Sequence, residues 1–199
     1  MGAKREPRHK TSRRYGMDLF GTGGESLQRR LNVPPGGRRP GVRRPTEYAR
    51  QLREKQKVKD IYGIREAQFL RYVEQAQRSG EPLGRALLEA LERRLDNVVY
   101  RLGFARTRLM ARQMITHGQV QVNGVTVTIG SYLVSPTSRI TLKKRALEMP
   151  VVQEELASRQ PTVSWLRRVE TAGEVIGRPR REEIDFDVDE SLIVAFYTR

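Results

Sequence analysis

The spacing of apolar positions changes several times along this 199-residue chain, and each change predicts a different element. Residues 1–45 show little periodicity and many breakers, among them Gly21-Thr22-Gly23-Gly24 and Pro34-Pro35-Gly36-Gly37, so an irregular arm is expected there. From Thr46, a suitable N-cap after Pro45, helix formers continue through Lys59. A second helix over Arg65–Gln77 sets Phe69, Tyr72, Val73 and Ala76 at helical spacing and stops at Ser79-Gly80. A third opens at Pro82 and carries Leu87, Leu88, Leu91, Leu95, Val98, Val99 and Leu102 as one stripe that ends at Gly103. It leaves Arg93, Arg94, Asp96, Asn97 and Arg101 off that stripe. Thr107 then caps a fourth helix running to about His117, apolar through Ala111, Met114 and Ile115, with Arg108, Arg112 and Gln113 facing outward.

Beyond His117 the period shortens to two. In Val120-Gln121-Val122-Asn123-Gly124-Val125-Thr126-Val127, an Asn-Gly pair between alternating apolar residues predicts a tight hairpin. Its register pairs Val122 with Val125 and Val120 with Val127, and all four are expected to be buried together. Ile140 and Leu142 alternate with Arg139, Thr141 and Lys143, a half-buried strand with a basic outer face. Near the end, Ile184, Phe186 and Val188 look like one strand face set among Glu182, Glu183, Asp185, Asp187, Asp189 and Glu190. Six carboxylates there would repel phosphate, so the tail is expected to meet protein; a solvated acidic loop is the alternative. The whole pattern predicts an α+β fold: two short helices packed on a small antiparallel sheet, inserted into a helical domain. The expected boundaries are a basic arm over 1–45, a helical domain over 46–90 plus 176–199, and the inserted domain over 91–175.

Charge changes this picture from a fold into a binding protein. The net charge is +15, with 38 Lys and Arg against 23 Asp and Glu. Residues 1–60 hold 17 cationic against 6 acidic side chains and residues 91–150 hold 10 against 3, while residues 151–199 are net acidic at 7 against 10. Charge concentrated this way favours a polyanionic partner, because each neutralised phosphate releases condensed counterions. The arm would repel itself when free and order on phosphate; a merely disordered tail is the alternative. No apolar run approaches the roughly 20 residues of a membrane span, and the basic N-terminus lacks the apolar core of a signal peptide. A cytoplasmic protein without a membrane partner is expected.

Cysteine is absent and His9 and His117 are the only histidines, which removes thiol chemistry and the usual zinc patterns. No catalytic residue, cofactor or metal is expected. The densest chemistry is arginine: Arg94, Arg101, Arg106, Arg108 and Arg112 fall within about 20 residues, with no acid between Asp96 and Glu148. Any one of them alone reads as a solvated surface residue, but their clustering argues for a shared anion. Arg106 and Arg108 also flank the start of the fourth helix, where unpaired N–H groups and the positive dipole end suit an RNA phosphate.

Several stretches resemble a known family. Arg93-Arg94-Leu95-Asp96-Asn97-Val98-Val99-Tyr100-Arg101-Leu102-Gly103-Phe104, followed by Ala111-Arg112-Gln113, His117-Gly118 and Val122-Asn123-Gly124, looks like the RNA-binding domain named after small-subunit ribosomal protein four. Asp18-Leu19-Phe20, Gln51-Leu52-Arg53-Glu54-Lys55-Gln56-Lys57-Val58, Ile61-Tyr62-Gly63 and Leu192-Ile193-Val194 with Tyr197 resemble the full protein, from about Ser12 to the end. Many bacterial members hold zinc with an N-terminal cysteine cluster; this chain resembles the zinc-free form.

The resemblance implies a structural protein of the small ribosomal subunit. Such proteins bind the five-prime domain of small-subunit rRNA (16S rRNA in bacteria) early in assembly, nucleate the particle body, neighbour ribosomal protein five, influence decoding accuracy and line the channel by which mRNA enters. Some members repress their own operon. Carried onto this sequence, the RNA contacts are expected at Arg13, Arg14, Arg50, Arg53, Lys55, Lys57, Arg94, Arg101, Arg106, Thr107, Arg108, Arg112, Gln113, His117 and Asn123. Arg43 and Arg44, in Gly41-Val42-Arg43-Arg44-Pro45, are expected at the mRNA channel.

Three rival functions fit less well. A pseudouridine synthase borrows the same domain, and Arg94-Leu95-Asp96 superficially resembles its catalytic triplet, but Leu95 lies on a helical apolar stripe and only about 50 residues follow position 150, too few for a catalytic domain. A tyrosyl-tRNA synthetase would need a nucleotide-binding fold whose signatures are absent. A non-ribosomal RNA-binding regulator or rescue factor would be shorter and lack the Gln51–Val58 signature.

Overall fold

The structure is a computed structural model that describes residues 7–21, 23–37 and 45–198. In chain order the elements are α1 (Arg8–Tyr15), α2 (Glu25–Gln28), α3 (Glu47–Tyr62), α4 (Glu66–Gln77), α5 (Leu83–Glu92), α6 (Leu95–Arg101) and α7 (Arg108–Thr116). There follow β1 (Val120–Val122), β2 (Val125–Thr126), β3 (Arg139–Leu142), α8 (Lys144–Leu147), α9 (Pro150–Ser158), β4 (Leu166–Val169), β5 (Ala172–Val175), a 3-10 turn at Arg181–Glu183, and α10 (Glu190–Tyr197). The fold is α+β. It divides into two compact units, Met1–Ile64 with Asp189–Arg199, and Arg65–Val188.

In the first unit, Thr46 caps α3 by accepting from the Ala49 N–H, and α10 packs along α3. The expected irregular arm is corrected in part. Residues 8–15 form α1, and Leu19 and Leu27 are buried. Ser12, 1% exposed, accepts the Leu19 N–H, and the Tyr15 hydroxyl donates to Asp60 on α3. Two anchoring leucines eight residues apart set no period, which hid this order from the apolar pattern.

In the second unit the sheet runs β2-β1-β3-β5-β4, antiparallel throughout. Helices α6 and α7 pack on one another, and Leu95, Val98, Leu102, Ala111, Met114 and Ile115 join Val120, Val122, Ile140, Leu142 and Trp165 in one core. Leu102 presses so closely on β5 that any side chain at Gly173 would collide with it. The hairpin turns at Asn123 (φ 51°) and Gly124 (φ 81°), as an Asn-Gly turn requires. Its register holds, Val122 opposite Val125, but the burial of four valines does not. Val125 is 68% exposed and Val127 only half-buried, because β2 is a two-residue edge strand.

The structure departs from three further expectations. The third helix is broken between Glu92 and Leu95, where Arg94 is extended (φ −63°, ψ 137°) and bridges to Leu133. The Leu95 and Asp96 N–H groups donate to the Tyr132 and Gly130 carbonyls, so a loop supplies what the helical ladder loses. Ile184, Phe186 and Val188 are buried as their alternation requires, yet form no strand among the described residues. The units also divide at 64/65 and 188/189, whereas the sequence places boundaries at 90/91 and 175/176. Contacts between α4 and α5, and burial of Phe186 and Val188, hold those flanking segments within the second unit.

Candidate nucleic-acid interface

Helix α6 carries a buried polar network. Arg94, 2% exposed, forks onto Asp96 (Nε–Oδ1 3.0 Å, Nη2–Oδ2 2.6 Å) and donates to the Tyr72 hydroxyl at 2.9 Å. Arg101, 4% exposed, forks onto Glu92 with two bonds of 3.1 Å and reaches Asp185 at 2.9 Å. Burial alone disfavours both cations, but the facing acids hold each guanidinium pKa above its ordinary value. Burial alone would also raise the Asp185 pKa, yet Arg101 and then Arg108 hold it below the usual carboxylate range. Buried charge survives only when paired and hydrogen-bonded, and here every fork is closed. Arg94, Asp96, Asn97 and Arg101 lie off the apolar stripe in sequence, yet all four are buried, and the two arginines expected at RNA face acids of the chain itself.

Helix α7 is graded where α6 is closed. Thr107 caps it by accepting the Met110 N–H at 3.2 Å. Arg106, just before the cap, is 66% exposed, with only a 3.9 Å approach to Glu155. Arg108 donates from Nε to Asn97 Oδ1 at 2.8 Å and lies 4.4 Å from the Tyr100 ring centroid. Arg112 forks onto Asp96 Oδ2 (Nε 2.9 Å, Nη2 2.6 Å) and remains 29% exposed. Gln113 and His117 are exposed, and the exposed Asn123 accepts the Arg139 N–H at 2.8 Å. The three arginines of this helix start are therefore each fixed by a different partner; they do not hang free over one point.

In the first unit Arg14, Arg50 and Arg53 are exposed, and Arg53 donates to the Arg14 carbonyl. Arg13 donates to the Val33 and Pro34 carbonyls. Lys55 and Lys57, expected among the RNA contacts, are covered by the chain itself. Lys55 is 6% exposed, its ammonium 4.3 Å from the Phe196 ring centroid, and Lys57 is 9% exposed, 3.6 Å from Glu54. The return of α10 onto α3 covers this side, and the α3 sequence alone gives no sign of it. Arg43 and Arg44 lie outside the described residues.

Sequence reasoning passed over Tyr100 and Arg159. The Arg159 guanidinium lies 4.5 Å from the same Tyr100 ring centroid, across 59 residues of chain, and no local pattern encodes that meeting. The described residues hold no helix long and apolar enough to cross a membrane and no group of three or more His, Cys, Asp or Glu placed to hold a metal.

Comparison with known proteins accounts for most of the chain. Residues 3–92 match the family model described as the ribosomal protein S4/S9 N-terminal domain, and residues 93–140 match the S4 domain. Small ribosomal subunit protein uS4A of Symbiobacterium thermophilum is 44% identical over 195 residues, 94% of each chain. The uS4 proteins of Persephonella marina (44% over 206 residues) and Salinibacter ruber (41% over 201) each align over 100% of both chains. With the N-terminal and S4 domains matched in order, the chain belongs to the small ribosomal subunit protein uS4 family.

Proposed function

We propose that this protein is a structural, non-catalytic constituent of the small ribosomal subunit, working in the cytoplasm as a primary binder of small-subunit rRNA. The observation that carries this reading is the start of α7, where an exposed Arg106, a capped helix end and an oriented Arg108 form a basic surface of fixed geometry. Guanidinium forks and free helix N–H groups suit phosphate oxygens. Contacts of that kind position a protein without reading bases, so the ligand is a folded rRNA junction recognised by shape. The names of the relatives and the net charge of +15 agree with it.

On this reading the protein binds early, nucleates folding of the subunit body and contributes to translational accuracy. Arg43 and Arg44 line the channel by which mRNA enters, and the acidic tail meets ribosomal protein five. The test is co-sedimentation: the tagged chain stays with small subunits through a high-salt wash, and its loss would sink the assignment. Purified protein should bind the five-prime rRNA domain with a steep salt dependence. Arg106→Ala should make that slope shallower by roughly 0.7–0.9, one phosphate contact. Replacing Arg43 and Arg44 by alanine should leave subunit assembly intact while slowing translation through structured messages.

A further inference from the structure

Two guanidiniums far apart in sequence meet on Tyr100, and a third, Arg106, shares an acid with one of them. Arg108 comes from the first turn of α7, Arg159 from the C-cap of α9, and Arg106 from the loop before α7. Arg108 and Arg159 lie 4.4 and 4.5 Å from one ring centroid. Arg106 and Arg159 each approach Glu155, a residue only 8% exposed, at 3.9 Å. Asp185, an acid that acts on Arg108, forks onto Arg101. Two of these cations thus share one mostly buried carboxylate at the surface.

Like charges held together are unfavourable unless a counter-charge arrives. The fold nevertheless fixes them, with the Tyr100 π-face under two guanidiniums and Asn97 gripping the Nε of Arg108. Asn97 is itself held by the fold: it is fully buried, and its amide donates to the Glu92 carbonyl and carboxylate at 2.9 Å each. Guanidiniums locked this way lose little rotamer freedom on meeting an anion, which favours a ligand of matching shape over any polyanion.

We infer that Arg159 belongs to the same phosphate-binding face as Arg106 and Arg108, and that Tyr100 and Asn97 are positioning residues that set the shape of this face before RNA arrives. The inference rests on the RNA-binding reading above and adds a contact residue and a source of specificity to it. The ligand is a phosphodiester backbone, since guanidiniums offer donors and positive charge and no acceptor.

The test uses the full chain and two RNAs, the five-prime domain of small-subunit rRNA and a single-stranded uridine polymer, with affinity measured against salt. Tyr100→Leu removes the ring without removing charge, Tyr100→Phe keeps the ring, and Asn97→Ala frees Arg108. Tyr100→Leu and Asn97→Ala should each weaken the folded RNA several-fold to about tenfold, with unchanged salt slope and unchanged affinity for the polymer. Tyr100→Phe should bind as wild type. Arg159→Ala should weaken the folded RNA and reduce the slope by roughly 0.7–0.9, while Arg159→Lys keeps the slope and still loses affinity. Wild-type affinity for the folded RNA in Tyr100→Leu and Arg159→Ala would overturn the inference and leave RNA binding itself standing. So would an equal loss on both RNAs, the mark of a merely damaged fold. A wild-type protein with no salt dependence would instead remove the RNA-binding reading beneath it.

Discussion

Helices α6 and α7 lie side by side, both rich in arginine, and use that residue in opposite ways. At the ends of α6, Arg94 and Arg101 have side chains 2% exposed and close on acids of the same unit, so their charge is internal to the fold. Around α7 the exposure rises from 29% at Arg112 to 66% at Arg106, and the partners weaken from a carboxylate fork to a 3.9 Å approach. The link between them is the dipeptide Asp96-Asn97. Asp96 takes Arg94 from the extended break before its own helix and Arg112 from the other helix; Asn97 takes Arg108. An arginine count therefore reports neither binding nor stability here. What separates the two roles is how completely acids of the fold close around the guanidinium.

The sharpest way to break this comparison is to remove a cation from the closed side. Arg94→Ala should destabilise the protein by about 3–5 kcal/mol, because Asp96, 3% exposed, loses its fork while staying buried. Denaturant unfolding would measure it, and a loss below about 1 kcal/mol would show that Arg112 alone satisfies Asp96. Arg112→Ala comes next. Its guanidinium is partly exposed and Arg94 remains to hold Asp96, so about 1–3 kcal/mol of stability should go together with rRNA affinity. If stability alone falls, Arg112 belongs with the α6 arginines. An outward-facing Arg112, as the sequence predicts, would instead lose affinity alone. Charge reversal at Arg112 should fail to fold, since it sets a second carboxylate against Asp96.

Much of this molecule is legible in sequence where one element suffices. The Thr46 and Thr107 caps, the α4 stripe, the Asn-Gly hairpin register and the β3 alternation all follow from residues within a few positions of each other. What was hidden depends on partners far along the chain. No Gly or Pro marks the break at Arg94, whose cause is the loop through Leu133 and the hydroxyl of Tyr72. Lys55 looks like a surface cation until Phe196 lies against it, and Tyr100 reads as one more helix residue until Arg159 arrives. The burial of Arg94, Arg101, Lys55 and Lys57 is not legible from charge, because charge pattern carries no information on which side of a helix is covered.

A smaller effect tests whether the start of α7 is held by its cap or by its arginines. Thr107→Ala removes the bond to the Met110 N–H and should cost about 1 kcal/mol. Thr107→Ser should restore most of it. If neither change moves the unfolding midpoint, the guanidinium contacts of Arg108 and Arg112 fix the helix start without the cap.

The smallest expected effect comes from Asp185, the half-exposed acid facing Arg101. Its folded pKa is depressed, with Arg101 and Arg108 outweighing the upward push of burial. A carboxylate with a lower pKa in the folded than in the unfolded state stabilises the fold fully above its unfolded value, near about 4. That contribution then disappears as pH falls through the folded value. Wild type should therefore lose stability relative to Asp185→Asn on acidification from about pH 5 to about pH 2, the two curves converging at the acid end. With the side chain 56% exposed, the gap at neutral pH should stay at or below about 1 kcal/mol and shrink with added salt. A gap that is larger and indifferent to salt would mean that Asp185 acts as a member of the closed α6 network. The segment Ile184–Val188 would then be held by charge as well as by its three buried side chains, and the border between closed and open arginines would move outward to include it.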